Sequence, residues 1–207
     1  MNPNWAEENL QTIRTLMERS ALYRRALAPI MLLAGTMGVL AAAIGMLCDW
    51  HSARAFVVLW LATAVLAVAG AFLIARRQAL KDKETFWSPP TRRVAQALLP
   101  PLLAGLGIGG LPVLGGDNEL ALISAVVWIL FYGCALHSAG FFMPRGIKFF
   151  GWGFIASALA LIYIFMTWES GLASHLSAYC LMGFFFGVLH LAYGVCLYLT
   201  EKGKKAA

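Results

Sequence analysis

Long apolar runs separated by short polar connections dominate the chain. A helix of about 20 apolar residues crosses roughly 30 Å of hydrocarbon, and each run reaches this length with no charged residue in its middle. Strands of a membrane barrel would be about ten residues long and would alternate in polarity. The pattern therefore predicts an all-α polytopic membrane protein with a six-helix transmembrane domain over 27 to 200. The predicted spans cover about 27 to 47, 55 to 75, 94 to 114, 120 to 143, 149 to 168 and 176 to 199.

A different periodicity precedes the first apolar run. Over residues 4 to 25, small and apolar side chains recur on one helical face, while acidic and basic side chains lie outside it. The members of this apolar face are Ala6, Leu10, Ile13, Met17 and Ala21. We therefore predict an amphipathic helix in a cytoplasmic or interfacial segment over 1 to 26. Such a helix either lies in the headgroup region or under the bundle, or it is a docking surface for a cytoplasmic partner.

Composition supports a membrane protein and excludes an ordinary soluble domain. Hydrophobic residues make up 60% of the 207 positions, charged residues only 13%, and the mean hydropathy is +0.73. Soluble domains carry about 25% charged residues. The net charge of +6 does not indicate nucleic-acid binding, because the basic residues form short clusters between the apolar runs. Glu7, Glu8 and Glu18 precede the first run, so no signal peptide is expected.

The distribution of basic residues predicts the orientation of the chain. Every Lys and Arg except Arg54 falls before the first span, in the second or fourth connection, or in the tail over 201 to 207. Cytoplasmic loops carry the excess of Lys and Arg in membrane proteins. We therefore predict a multi-pass protein of the bacterial inner (plasma) membrane with its N-terminus and C-terminus in the cytoplasm.

The second connection, residues 76 to 93, is the only sizeable loop. It carries six basic residues, and Pro89 and Pro90 near its end favour an extended turn before the next helix. Anionic lipid attracts such a basic segment at about 1 kcal/mol per residue. The connection is therefore either a surface loop held by lipid or a contact surface for a soluble cytoplasmic protein.

Prolines and glycines make the third run the least regular. Pro100 and Pro101 are adjacent, and Gly105 and Gly109 follow with two further glycines. Broken helices line the binding sites of many transporters. A pair of glycines four residues apart is also a close-packing face between membrane helices. Both interpretations remain open from sequence.

Two histidines lie among glycines in the fourth and sixth runs. His137 shares a helical face with Gly133 and Gly140, and His190 shares one with Gly183, Gly187 and Gly194. Small residues allow membrane helices to approach closely. We therefore predict that both histidines point into helix contacts and not towards lipid. If the fourth and sixth helices touch through these stripes, His137 and His190 should lie close together and be shielded from lipid. The candidate polar site at that interface consists of His137, His190, Cys134 and Tyr193.

The same residues raise the hypothesis of a metal or haem site. Cys134 and His137 are spaced i, i+3, and His190 could reach them from the sixth helix. The ligand set is incomplete, however, and buried histidines commonly hydrogen-bond to hydroxyl or carbonyl groups across packed helices. We therefore expect no metal and no cofactor. Acidic and histidine residues of the outer loops offer a second possible cation site: Asp49, His51, Asp117, Glu119, Glu169 and His175.

The cysteines are predicted to be small buried hydrophobes. Cys48 and Cys180 lie at the same outer depth, so they can form a disulfide if the first and sixth helices are neighbours. For catalysis, the chain shows no nucleophile elbow, Walker loop or zinc-protease helix. We accordingly predict that the protein is not an enzyme and has no catalytic residues.

Two stretches carry a resemblance to known proteins. Residues 9 to 20, running into 23 to 29, together with Phe86, Trp87, Ser88, Pro89 and Pro90, resemble a group of uncharacterised bacterial inner-membrane proteins with six helices. The resemblance covers most of the chain and implies the fold and location, but no activity. In architecture alone, the chain is similar to permease subunits of ABC transporters. The connection over 169 to 177 is, however, too short for the outer segment that such permeases carry.

These patterns favour a non-enzymatic accessory or sensory protein of the inner membrane. Its partners would be the lipid bilayer and a cytoplasmic protein that contacts the amphipathic helix or residues 76 to 93, with no nucleic acid. The alternative is a small permease, or a permease subunit of a transporter, that uses the kinked third helix.

Overall fold

The computed structural model describes residues 3–50, 52–83, 86–111, 114, 120–167 and 177–206. For residues 3–9, 11–25, 90, 201 and 203–206 it describes the backbone alone. The described chain is helical and contains no strand. The first five helices are α1 (Pro3–Leu47), α2 (Ala53–Lys81), α3 (Pro89–Gly110), α4 (Leu120–Ala139) and α5 (Arg145–Thr167). The sixth, α6, consists of Ala178–Met182, a π-helical segment Gly183–Val188 and Leu189–Ala206.

Within the described residues, five helical segments are long and apolar enough to cross a membrane. They are Ala26–Leu47 of α1, α2, α4, α5 and Ala178–Thr200 of α6. They match five of the six predicted spans within a few residues at most ends, although α2 continues to Lys81. Helix α3 has the length of a span but not the apolarity, because basic residues, Gln96, four prolines and four glycines dilute its leucines.

Helix α1 joins two predicted elements into one. It runs without interruption for 45 residues, so the predicted amphipathic segment and the first span form one continuous helix. Pro29 lies inside it and removes one main-chain hydrogen bond, which kinks helices without necessarily ending them.

Defined caps end the first two helices. At the end of α1, Asp49 has a positive φ of 55°. The amide of Trp50 bonds the carbonyl of Gly45 and the amide of Asp49 bonds that of Met46, as in a Schellman motif. At the end of α2, Lys83 adopts φ 53° and donates to the carbonyl of Leu80.

The helices form two groups of three that share one core. Helix α1 packs between α2 and α6, and α4 packs between α3 and α5. Apolar side chains of α1, α2, α4, α5 and α6 meet in a common cluster around Phe56, Ile129 and Phe154. A smaller cluster near Leu136 and Ile147 closes the end where α4 turns into α5.

Small residues bring α1 and α6 into close antiparallel contact. The backbone of Gly38 lies against Phe186, and that of Gly35 lies against Leu191, whose amide would be 2.6 Å from an added Cβ. On α6, Gly187 lies against Val39, whose Cγ2 would be 2.8 Å from a Cβ added to Gly187, and Gly194 lies against Leu32. In hydrocarbon, such close packing supplies much of the attraction between helices.

The irregular helix α3 packs its glycines against aromatic rings of α4. Gly105 lies against Phe131, and Gly109 lies against Trp128. The indole N–H of Trp128 also donates to the carbonyl of Gly105 at 3.0 Å. This pair of glycines therefore serves helix packing, which was one of the two interpretations left open by the sequence.

Aromatic contacts pack the second connection against α2. Phe86 packs edge-on against Phe72 with ring centroids 4.7 Å apart, and Trp87 follows it, largely exposed. The hydroxyl of Thr91 donates to the carbonyl of Phe86 at 2.9 Å. The start of α3 is therefore tied to the connection that precedes it.

Candidate polar site at the helix interfaces

His190 is the most enclosed polar residue of the candidate site. Its relative exposure is 1%, and it lies on α6 just after the π-helical segment. The ring Nδ1 is 2.9 Å from the carbonyl oxygen of Phe185, five residues earlier in the same helix. The ring Nε2 is 2.7 Å from the hydroxyl of Tyr132 on α4. Both nitrogens are therefore engaged.

These two bonds determine the tautomer of the ring. A carbonyl oxygen only accepts hydrogen bonds, so Nδ1 of His190 must carry the hydrogen that is donated to Phe185. In a neutral imidazole Nε2 is then the acceptor, and the hydroxyl of Tyr132 donates to it. The result is a directed chain from the hydroxyl of Tyr132 through the imidazole to the main chain of α6.

Aromatic rings surround the imidazole on the remaining sides. Phe186 stacks on it, with centroids 5.8 Å apart and planes 13° from parallel. Phe150 and Phe154 of α5 meet it edge-on at 5.2 and 5.7 Å. This apolar enclosure strengthens the hydrogen bonds and makes it costly to leave any member unpaired.

His137 occupies a separate place on α4. Its ring meets Trp152 edge-on at 5.0 Å and Phe141 edge-on at 5.4 Å. Its Nδ1 is buried without a hydrogen-bond partner. None of the hydrogen bonds and ring contacts of the described residues joins His137 to His190. Cys134, one turn earlier on α4, is half-buried as a free thiol.

Tyr193 lies between the cluster around His190 and the turn into α5. Its ring stacks on Phe150, with centroids 4.7 Å apart and planes 11° from parallel. Its hydroxyl points at Gly146, is buried and has no partner among the described residues. Tyr193 is therefore linked to His190 through Phe150, which touches both rings.

Among the described residues, the glycine stripes of α4 and α6 do not meet each other. The stripe of α6 packs against α1, as described above, and the stripe of α4 packs against α5. Gly133 meets the backbone of Ile155, and Gly140 meets Lys148. The physical reason is that α1 and α5 offer small residues at matching positions, so that backbones approach from both sides. Helices α4 and α6 are instead joined by the hydrogen bond between the hydroxyl of Tyr132 and the ring of His190.

The donor arrangement does not support the metal or haem hypothesis for these residues. Both nitrogens of His190 are engaged elsewhere, and His137 contacts a different set of rings. No group of three His, Cys, Asp or Glu side chains in the described part of the chain is placed to hold a metal ion. Of the outer-loop acids and histidines, only Asp49 belongs to the described residues.

The cysteines are more exposed than predicted. Cys48, Cys180 and Cys196 are exposed free thiols, because the outer faces of a bundle of six helices are not covered by protein. Helices α1 and α6 are neighbours, which was the condition for pairing Cys48 with Cys180. In the structure, the thiol of Cys180 instead lies 3.5 Å from the sulfur of Met46.

Sequence reasoning selected His190 but not its two partners. Tyr132 immediately precedes Gly133. The signal that could have identified Tyr132 is its hydroxyl group, which faces inward on the helix opposite the buried histidine. The carbonyl of Phe185 becomes a partner through the π-helical segment, which periodicity does not reveal. This chain of hydrogen bonds positions α4 against α6 and holds the ring of His190 in one orientation. No nucleophile or carboxylate of the described residues contacts it.

Comparisons with protein-family models, with characterised proteins and with solved structures find no match to this chain.

Proposed function

We propose that this chain is a six-span protein of the bacterial inner membrane that acts as an accessory or sensory protein for a soluble cytoplasmic partner. In this proposal both termini are cytoplasmic, and the protein carries out no catalysis. The partner binds the N-terminal part of α1, which extends beyond the membrane.

The observation that carries the proposal is the length of α1. The helix has 45 residues, of which Ala26–Leu47 form the apolar span. At about 1.5 Å per residue, the preceding part extends roughly 35 Å from the membrane surface as a continuation of the span. A helix that continues a span in this way leaves the plane of the headgroups instead of lying in it.

The chemistry of this projecting part favours a protein over lipid. Helices that lie on membranes are rich in Lys and Arg on their polar face. Here Glu7, Glu8 and Glu18 are interspersed with the arginines, so attraction to anionic lipid is weak. Leu10, on the predicted apolar face, is 66% exposed. Apolar residues spaced by three and four are the pattern with which an amphipathic helix fills a groove of another protein.

The second connection supports the proposal as an anchor. Phe86 is packed against Phe72, and Trp87 is exposed beside it, where a ring prefers the headgroup level. Arg76 and Arg77 precede these rings in the sequence, and the arginines that open α3 follow them. We propose that this connection binds headgroups and fixes the bundle, while α1 binds the soluble partner.

Photo-crosslinking at Leu10 tests the proposed partner surface. With a benzoylphenylalanine introduced at Leu10 of the full-length protein in native membranes, we expect adducts with one soluble protein instead of lipid. We also expect Leu10→Glu to reduce co-purification of that protein about tenfold or more, because a charge in an apolar groove is costly. Quantitative mass spectrometry of the detergent extract measures this recovery.

The matched control is Thr12→Glu, which adds the same charge roughly 200° around the helix. It should leave co-purification unchanged, and both variants should insert into the membrane at wild-type levels. Adducts with lipid alone, or equal loss of the partner in both variants, would contradict the proposal. Recovery of an ATPase with Leu10-dependent ATP hydrolysis would favour the permease subunit instead.

The permease alternative requires a polar cavity bounded by α3, α4 and α6. Near His190, the space between α4 and α6 is filled by Tyr132 and Phe186. A groove of about 390 Å³ lies between α5 and α6, but its lining is mostly apolar, including Leu161, Ile164 and Phe184. Neither feature favours transport of a polar substrate.

A further inference from the structure

Two positive charges at the turn between α4 and α5 are not balanced by acidic residues of the chain. Arg145 and Lys148, in the first turn of α5, are the only Asp, Glu, Lys or Arg residues between Glu119 and Glu169. Among the described residues, neither side chain forms an ion pair or a hydrogen bond. The side chain of Lys148 instead lies over the ring of Phe141, with Nζ 4.1 Å from the ring centroid.

The position of these charges in α5 adds to the positive potential. Helix α5 begins at Arg145, and its first turn contains no acidic residue. The first amides of a helix have no acceptor within the helix, and the macrodipole places partial positive charge at the same end. Basic side chains are therefore unfavourable here, and a bound anion would interact favourably with the side chains, the amides and the dipole together.

An aromatic surface continues from the basic end along the same face of α5. Phe149 and Trp152 are 72% and 52% exposed, and they share a helical face with the two basic residues. The ring of His137 meets both Trp152 and Phe141 edge-on, at 5.0 and 5.4 Å. The rings beside the ammonium group of Lys148 are therefore held in place by α4.

We propose that this face of α4 and α5 binds one anionic phospholipid of the phosphatidylglycerol type. The phosphodiester lies on Arg145, Lys148 and the first amides of α5, and an acyl chain follows Phe149 and Trp152. Basic surfaces at the cytoplasmic ends of membrane helices recognise anionic headgroups in this way.

The order of the two surfaces selects a lipid over a free phosphate ion. Trp152 lies seven residues after Arg145, roughly 10 Å further along the helix axis. A charged group followed at this distance by exposed aromatic rings matches a headgroup followed by its acyl chain. A free phosphate ion would use the basic end alone and leave the rings uncovered.

Native mass spectrometry of the full-length protein tests this site. The protein, purified in detergent, is mixed with equal amounts of phosphatidylglycerol and phosphatidylcholine. We expect the wild type to retain one more phosphatidylglycerol than the double variant Arg145→Gln, Lys148→Gln. Titration should show affinity for that lipid weakened about 25-fold in the variant, as expected for the attraction of two basic residues. Inorganic phosphate in large excess should not displace the lipid.

The matched control is the double variant Lys202→Gln, Lys204→Gln, which removes the same charge from the C-terminal tail. It should bind phosphatidylglycerol within about twofold of the wild type. Thermal unfolding without lipid should be similar for both double variants, which separates loss of the site from loss of the fold.

Three results would overturn the proposal. The first is equal retention of the two lipids by the wild type, and the second is equal weakening of phosphatidylglycerol binding in the two double variants. The third is displacement of the lipid by inorganic phosphate, which would indicate a site for a free anion.

Discussion

Gly38→Ala is expected to destabilise the protein by about 2 to 3 kcal/mol, the largest effect of any single added methyl group that we predict. A Cβ at this position would overlap the carbonyl oxygen of Phe186 and lie 2.6 Å from its carbonyl carbon. These are backbone atoms, so no side-chain rotation relieves the overlap, and α1 and α6 must move apart. Thermal unfolding of the detergent-purified protein measures the loss.

Gly107→Ala is the matched control for this substitution. An added Cβ on Gly107 of α3 meets nothing within 4 Å, so only the helix propensity changes. Alanine is more favourable than glycine inside a helix by up to about 1 kcal/mol. We expect Gly107→Ala to unfold at the wild-type temperature or slightly above it. Equal destabilisation by the two substitutions would show that α1 and α6 do not pack at Gly38.

The bond between Tyr132 and His190 is expected to show as a coupling energy of about 1 kcal/mol in a double-mutant cycle. Tyr132→Phe keeps the ring but leaves Nε2 of His190 buried without a donor, and an unsatisfied buried group costs about 1 to 3 kcal/mol. His190→Leu leaves the hydroxyl of Tyr132 unpaired in the same way. The double variant removes both groups, so it should lose less stability than the sum of the single losses.

Tyr198→Phe is the control for this cycle, because Tyr198 lies on the same helix but is exposed. The free energy of unfolding of this variant should match that of the wild type within about 0.5 kcal/mol. Strictly additive losses for Tyr132→Phe and His190→Leu would mean that the two groups do not share a hydrogen bond. Coupling energies inside membranes average about 0.6 kcal/mol and reach about 1.7, so unfolding must be measured with matching precision.

The elements of this fold were predictable because length and apolarity depend on the local sequence. The apolar runs ending near Leu47, Ala139 and Thr167 matched helices of the structure. Their limits coincide with charges, prolines or glycines that are unfavourable in hydrocarbon. The third run was the exception, since Pro100 and Pro101 and the glycines that follow reduce its apolarity without interrupting the helix.

Helix neighbours were not predictable by the same means. Lipid tails are as apolar as leucine, so burial does not select a partner, and a stripe of small residues fits any other such stripe. From sequence, it therefore stayed open whether the stripe around Gly187 meets α4, and the structure places this stripe against Gly38 and Val39 of α1. The candidate site was found only in part for the same reason. His190 was recognised as polar and buried, but Tyr132 and the carbonyl of Phe185 became its partners through tertiary packing.

The number of membrane crossings determines whether the N-terminal part of α1 and the C-terminal tail lie on the same side of the membrane. The most direct measurement is labelling of single cysteines in intact cells with a membrane-impermeant maleimide, after the four native cysteines are replaced. Six crossings predict that Ser52→Cys is labelled from outside, whereas Asp82→Cys and Lys202→Cys react only after lysis. If α3 does not cross, Lys202→Cys will be labelled in intact cells. That result would contradict a six-span protein whose termini both face the cytoplasmic partner.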